Sequence, residues 1–234
     1  MYYPYYYYFD PTYMLVLLGT LICLLASGIV NSTMNKYAKV RNARGLTGAE
    51  AARRILDSEG LYQVRVECLN SASGDHYDPR SNTVRLSSQN YNNPSVTAVG
   101  VAAHECGHAI QHAKGYAFIK IRTALVPVAN IGSTLGFPLI LIGVLLSWNQ
   151  TMINIGIWAF SLAVLFQLVT LPVEFNASNR AIAKMEQYGL LGTEELRGTK
   201  KVLSAAAFTY VAAAASSILQ LLRLVLLFGR RNDD

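Results

Sequence analysis

The chain has 234 residues, enough for one or two modest domains, and 52% of them are hydrophobic against 15% charged. That balance excludes an ordinary water-soluble protein, and three cysteines (Cys23, Cys68, Cys106) without C-x-x-C spacing exclude a disulfide framework or a cysteine zinc site. The net charge of +6 raises the question of nucleic acid, but its distribution along the chain points to a membrane and to no nucleic-acid partner.

Residues 1–12 are rich in Tyr, Pro and Phe and lack Lys and Arg, a composition suited to the membrane interface. Residues 13–30 carry no charge and are long enough to cross a bilayer; no basic stretch of a secretory signal precedes them. Residues 1–30 therefore read as an aromatic tail and an uncleaved first span. Residues 31–123 are polar and basic. Thr47 and Glu50 form a capping-box pattern that opens a helix at Gly48–Ser58, with Ala51, Ala52, Ile55 and Leu56 on one side and Gly60 as its stop. Residues 62–68 alternate apolar and polar, the pattern of a half-buried strand. Residues 75–78 and Thr83–Ser87, joined by a Pro-Arg-Ser-Asn turn, read as a hairpin. Thr83–Ser87 is open to two readings, an edge strand that pairs with an extended substrate or a strand buried inside the sheet. Ser95 begins the next helix.

Residues 124–148 and 152–173 are both uncharged and form a helical hairpin in the membrane, within a unit spanning 124–173. Pro127 and Pro138 are tolerable there. Residues 174–201 are polar again and read as a helical segment: the run headed by Glu174 looks helical, and Thr193 opens another helix. Residues 202–222 form a fourth span rich in Ala and Ser, leading to a tail that ends the 202–234 unit; Arg223 snorkels at its edge. Four spans put 31–123 and 174–201 on one side. Those segments hold 12 and 5 of the chain's 20 Lys and Arg, which makes that side cytoplasmic by the positive-inside rule.

The chemistry is carried by HECGH at residues 104–108, an H-E-x-x-H pattern in a helical run. Positions four apart share a helix face, so His104 and His108 can direct their imidazoles at one metal, and Glu105, offset by one residue, can serve a water there. Imidazole pairs suit Zn²⁺. The small, uncharged neighbours Ala102, Ala103, Gly107 and Ala109 allow close packing under such a site. A catalytic zinc needs a third protein ligand and an open position. His112 lies about 12 Å along the axis from His104 and about 80° around it, too far to share a metal on one straight helix. Glu174, the first charge after the third span and on the metal side, is the favoured ligand, with an interfacial anchor as its other reading. Ser178 and Asn179 share its turn and could support a ligand. His76, Tyr77 and Arg180 could each stabilise an oxyanion, and spacing does not choose among them.

The AAHECGHAIQH helix (102–112), the LPVEFNASNRA segment (171–181), the DHYDPRSNTVRLS hairpin (75–87) and the four spans together resemble the YugP-type family of membrane zinc metallopeptidases over nearly the whole chain. The resemblance implies a gluzincin-like site, with His104, His108 and Glu174 on zinc and Glu105 as general base. More distantly, residues 174–178 resemble the E-x-x-A-D element of HtpX-like and CAAX-processing peptidases, with Ser178 where those have Asp. The expected architecture is a mainly α membrane protein, four transmembrane helices carrying a small α+β zincin-like metallopeptidase domain. The expected function is an integral-membrane zinc endopeptidase of the bacterial cell membrane acting on membrane-proximal peptide or protein substrates. A catalytically idle zinc-binding scaffold is the rival, against which Glu105 argues, because a structural site needs no base. A metal transporter would need ionisable residues inside the spans, and these are absent but for Arg223.

Overall fold

A computed structural model describes residues 10–229. The aromatic tail expected at 1–9 and the basic pair Arg230 and Arg231 lie outside the described residues. In chain order the elements are α1 (Tyr13–Ala38), α2 (Gly48–Ser58), β1 (Arg65–Leu69), β2 (His76–Asp78), β3 (Thr83–Ser87), α3 (Ser88–Tyr91), α4 (Val96–Ala113), α5 (Ala117–Leu145), α6 (Gln150–Gln187) and α7 (Thr193–Phe228).

Helices α1, α5, α6 and α7 are long and apolar enough to cross a membrane. Their outward side chains agree: Leu145 and Trp158 are each 74% exposed, an arrangement that suits lipid rather than water. Backbone carbonyls and glycines bring α5 and α6 together, since a Cβ on Gly132 would collide with the Ala159 carbonyl oxygen. Asp10, before α1, pairs with Arg223 of α7 at 3.5 Å, and the guanidinium lies 4.3 Å from the centre of the Tyr13 ring. Arg223 is thus held at the far end of the α1–α7 pair, where a charged head can leave the apolar layer.

On the other side, the polar segments share one hydrophobic core. Thr47 caps α2 by accepting from the Glu50 N–H while Glu50 returns a bond to the Thr47 N–H. The cap fixes the helix so that Ala51, Ala52, Ile55 and Leu56 are fully buried against α4. Each Ile or Leu buried this way contributes about 1.5–3 kcal/mol. Met185 and Leu190, from the segment after the third span, join the same core.

The sheet order is β1-β3-β2, with β1 parallel and β2 antiparallel to β3. The expected hairpin is present. Thr83–Ser87 is its central strand, almost entirely buried, which removes the edge-strand reading of that segment: β1 and β2 occupy both of its hydrogen-bonding sides. The edges are β1 and β2, and β2 is the one that borders the metal cluster. The strand expected at 62–68 is displaced to Arg65–Leu69. Helix α6 runs unbroken across residue 174 and α7 across residue 202, so each polar segment and its span form one continuous helix.

Candidate metal centre and active site

Helix α4 begins at Ser95, whose hydroxyl accepts from the Ala98 N–H at 3.1 Å. From that start the helical period sets His104 and His108 one turn apart on the face toward α6, with ring centres 4.8 Å apart and nearly perpendicular. Gly107 lies between them. A Cβ there would sit 2.5 Å from the Ala177 carbonyl oxygen of α6, so only glycine permits this approach of the two backbones. The close crossing brings Glu174 to both imidazoles: its Oε2 is 3.2 Å from His104 Nε2 and 3.6 Å from His108 Nε2.

These ligand atoms lie within 4.8 Å of one another. Metal–ligand bonds of about 2 Å in a tetrahedron separate neighbouring donors by about 3.3 Å, close to both measured gaps. Glu174 is 2% exposed, and its Oε2 has no hydrogen-bond donor. An orphaned buried carboxylate oxygen facing two imidazole nitrogens is the donor set that a divalent cation completes. Burial disfavours a charged His108, yet the Glu174 carboxylate close beside it, with Glu105 and Gln111, outweighs that and raises its pKa. The local field therefore favours positive charge.

Both imidazoles are oriented from behind. The Nδ1 of His104 is 3.1 Å from Ser178 Oγ, and the Nδ1 of His108 is 3.0 Å from Gln111 Oε1. Assigning the proton to each Nδ1 leaves both Nε2 lone pairs aimed at the Glu174 oxygen. Gln111 is fully buried and donates to the Val173 carbonyl at 2.8 Å and to Asn176 Oδ1 at 3.0 Å. Glu105 lies beside the cluster and accepts from the Tyr77 backbone N–H at 2.9 Å, so the outer edge of β2 holds this carboxylate in place.

Two clefts meet at the cluster. A cavity of about 270 Å³ runs between α1, α4 and α7 and is walled by Met34, Val101, Val202, Leu203 and Ala206. One of about 200 Å³ opens on the other side past His76, Pro79, His112 and Arg122. Asp75, His104, Glu105, Glu174 and Tyr210 border both.

The structure thus gathers His104, Glu105, His108, Glu174 and Ser178, with His76 and Tyr77 at the rim. Tyr77 commits its hydroxyl to Asn82 at 2.8 Å, and His76 is exposed with Nδ1 on the Gly74 carbonyl at 2.7 Å. Asn179 is exposed and lines neither cleft, so support of a histidine falls to Ser178 alone of that pair. Arg180 also lines neither; its Nε donates to Asn176 Oδ1 at 2.7 Å, too far back to meet an oxyanion. His112 sits in the wall of the polar cleft, its ring 5.5 Å from Tyr77 and outside the three-residue cluster. Burial, with His108 and Arg122 nearby, lowers its pKa and keeps it neutral near pH 7.

Residues 12–229 match the model of a family described as "Putative neutral zinc metallopeptidase". The chain belongs to that family. Among curated proteins it is similar to the "Putative membrane protease YugP" of Bacillus subtilis (strain 168), 48% identical over 205 residues that cover 88% of this chain and 91% of the relative. No solved structure matches the chain. Zinc is accordingly the cofactor of this neutral zinc metallopeptidase family member, and His104, His108 and Glu174 form its candidate site. The protein is an integral membrane protein of a protease family.

Sequence reasoning did not find Gln111, Asn176, Arg122 or Tyr210. Gln111 had a signal, since it lies three residues after His108 and so on the same helix face. Tyr210 had none, being one aromatic residue in an apolar span.

Proposed function

We propose that the protein is a zinc-dependent endopeptidase that cuts membrane-proximal protein substrates. The observation that carries the reading is the pairing of an open three-donor cluster with a positioned carboxylate: Glu105 is 8% exposed, tethered by the Tyr77 N–H, and faces both clefts. His104, His108 and Glu174 would hold the zinc, which would supply Lewis acidity to the scissile carbonyl and to an attacking water. Glu105 accepts the proton of that water through the oxygen not held by Tyr77 and delivers it to the leaving amine. Ser178 and Gln111 keep the imidazoles aligned throughout.

Tyr210 is the best-situated group to stabilise the developing oxyanion, because it reaches both clefts from α7, across from β2. The apolar cleft continues into the α1 and α7 spans, which supports substrates whose cleavage site adjoins a membrane segment. The excess of Lys and Arg on the metal side supports a cytoplasmic active site in a bacterial cell membrane.

The test uses the full chain in detergent with two reporters sharing one cleavable segment, one soluble and one joined to an apolar helix. Cleavage should stop on zinc chelation, return with zinc, and be faster for the helix-linked reporter. Chelator-resistant cleavage would contradict the metal role, and equal rates would contradict the substrate preference.

A further inference from the structure

Outside the catalytic region, α1 and α7 enclose a second groove on their lipid-facing side. The helices touch closely at two points: Gly19 against Ser216, where a Cβ would lie 2.8 Å from Ser216 Oγ, and Gly198 against Tyr37, where it would lie 2.6 Å from the ring. Between these contacts the small residues Thr33, Ser204 and Ala205 leave a groove of about 560 Å³. Ile29 and Phe208, 48% and 41% exposed, line its deep end, and Lys36 and Lys201 flank its mouth.

The axial order gives the groove its chemistry. From Ile29 to Lys36 is seven residues, about 10 Å of helix, and α7 runs antiparallel so that Phe208 and Lys201 match those two levels. The apolar end lies within the span and the cationic end where both helices leave it. Neither Lys36 nor Lys201 has a carboxylate partner among the described residues; Lys36 only approaches the Tyr37 ring, at 5.7 Å. The adjoining surface adds Lys200 and the Glu194–Arg197 pair. A cationic mouth above an apolar slot at one membrane depth complements a molecule with an anionic head and an acyl tail.

We propose that this α1–α7 groove binds an anionic phospholipid, with Lys36 and Lys201 on the phosphate and an acyl chain along Ile29 and Phe208. The experiment is native mass spectrometry of the full-length protein in non-ionic detergent, titrated with short-chain phosphatidylglycerol, phosphatidylcholine or inorganic phosphate. Phosphatidylglycerol should bind more tightly than phosphatidylcholine, and Lys36→Gln/Lys201→Gln should weaken it roughly 25-fold. Ser204→Trp, which fills the slot and keeps both lysines, should also remove it. Arg54→Gln/Arg65→Gln, an equal charge change on α2 and at the start of β1, should leave it unaltered. Equal binding of the two lipids, displacement by inorganic phosphate at the same concentration, or unchanged binding in either groove variant would overturn the proposal.

Discussion

The two histidines of the zinc site are one helical turn apart and are held in opposite ways. His108 leans on Gln111, a fully buried amide whose donors are both engaged on α6, so its support is a closed network spanning two helices. His104 leans on one hydroxyl, Ser178, at the wall of the apolar cleft. A closed network of buried hydrogen bonds leaves little freedom, whereas a hydroxyl can rotate. The site is therefore rigid at His108 and adaptable at His104, where the apolar cleft meets the metal.

The largest expected effect abolishes the comparison by separating the helices. Gly107→Ala places a Cβ 2.5 Å from a backbone oxygen of α6, so α4 and Glu174 must move apart; zinc content measured by atomic emission should fall to background. Next, Gln111→Ala should weaken zinc affinity about 10–100-fold in a chelator competition. Ser178→Ala should weaken it less, by under about tenfold. If Ser178→Ala matched or exceeded Gln111→Ala, the asymmetry would be wrong.

The smallest effect concerns the far end of α4. Glu59, at the end of α2, takes a hydrogen bond from Lys114 just past α4 at 3.0 Å and also contacts Lys184 of α6 and the Tyr188 hydroxyl. Burial pushes its carboxyl up, but these three partners prevail and lower its pKa to about 2 from 4.5. A carboxyl depressed in the folded state stabilises above its unfolded pKa and loses that contribution as pH falls from about 4.5 toward 2. Because Lys114 is half exposed, the contribution is about 2 kcal/mol rather than the full value of the shift. Melting of the zinc-stripped protein should show Glu59→Gln less stable than wild type at pH 6, with the gap shrinking below about pH 4.5 and closing only near pH 2. A gap still at its pH 6 size near pH 2 would assign the difference to packing instead of charge.

Much of this architecture was legible in the sequence because its signals are local. The capping box, the i and i+4 histidines and the four uncharged runs depend on residues close along the chain. Glu174 was found by position, as the first acid to leave a span on the metal side. The supports of the histidines were less accessible: Gln111 acquires meaning only where α4 crosses α6, and Asn176 only as the group Gln111 bonds. Polarity likewise marked where α6 and α7 leave the apolar layer, and the run from Glu174 read as helical, but not that span and polar segment form one continuous helix, since polar residues such as Lys184 and Glu195 propagate a helix as readily as apolar ones. The place of Thr83–Ser87 in the sheet was undecided for the same reason, because partner strands are chosen by tertiary packing.

The central claim is that Glu105 performs chemistry while the other three residues hold the metal. Glu105→Gln keeps the shape and can still accept the Tyr77 N–H, but its amide cannot take a proton. Zinc content and cleavage of the helix-linked reporter, measured on the same purified sample, separate the two roles. We predict wild-type zinc content with cleavage reduced at least 100-fold. Full zinc with undiminished cleavage would contradict the account.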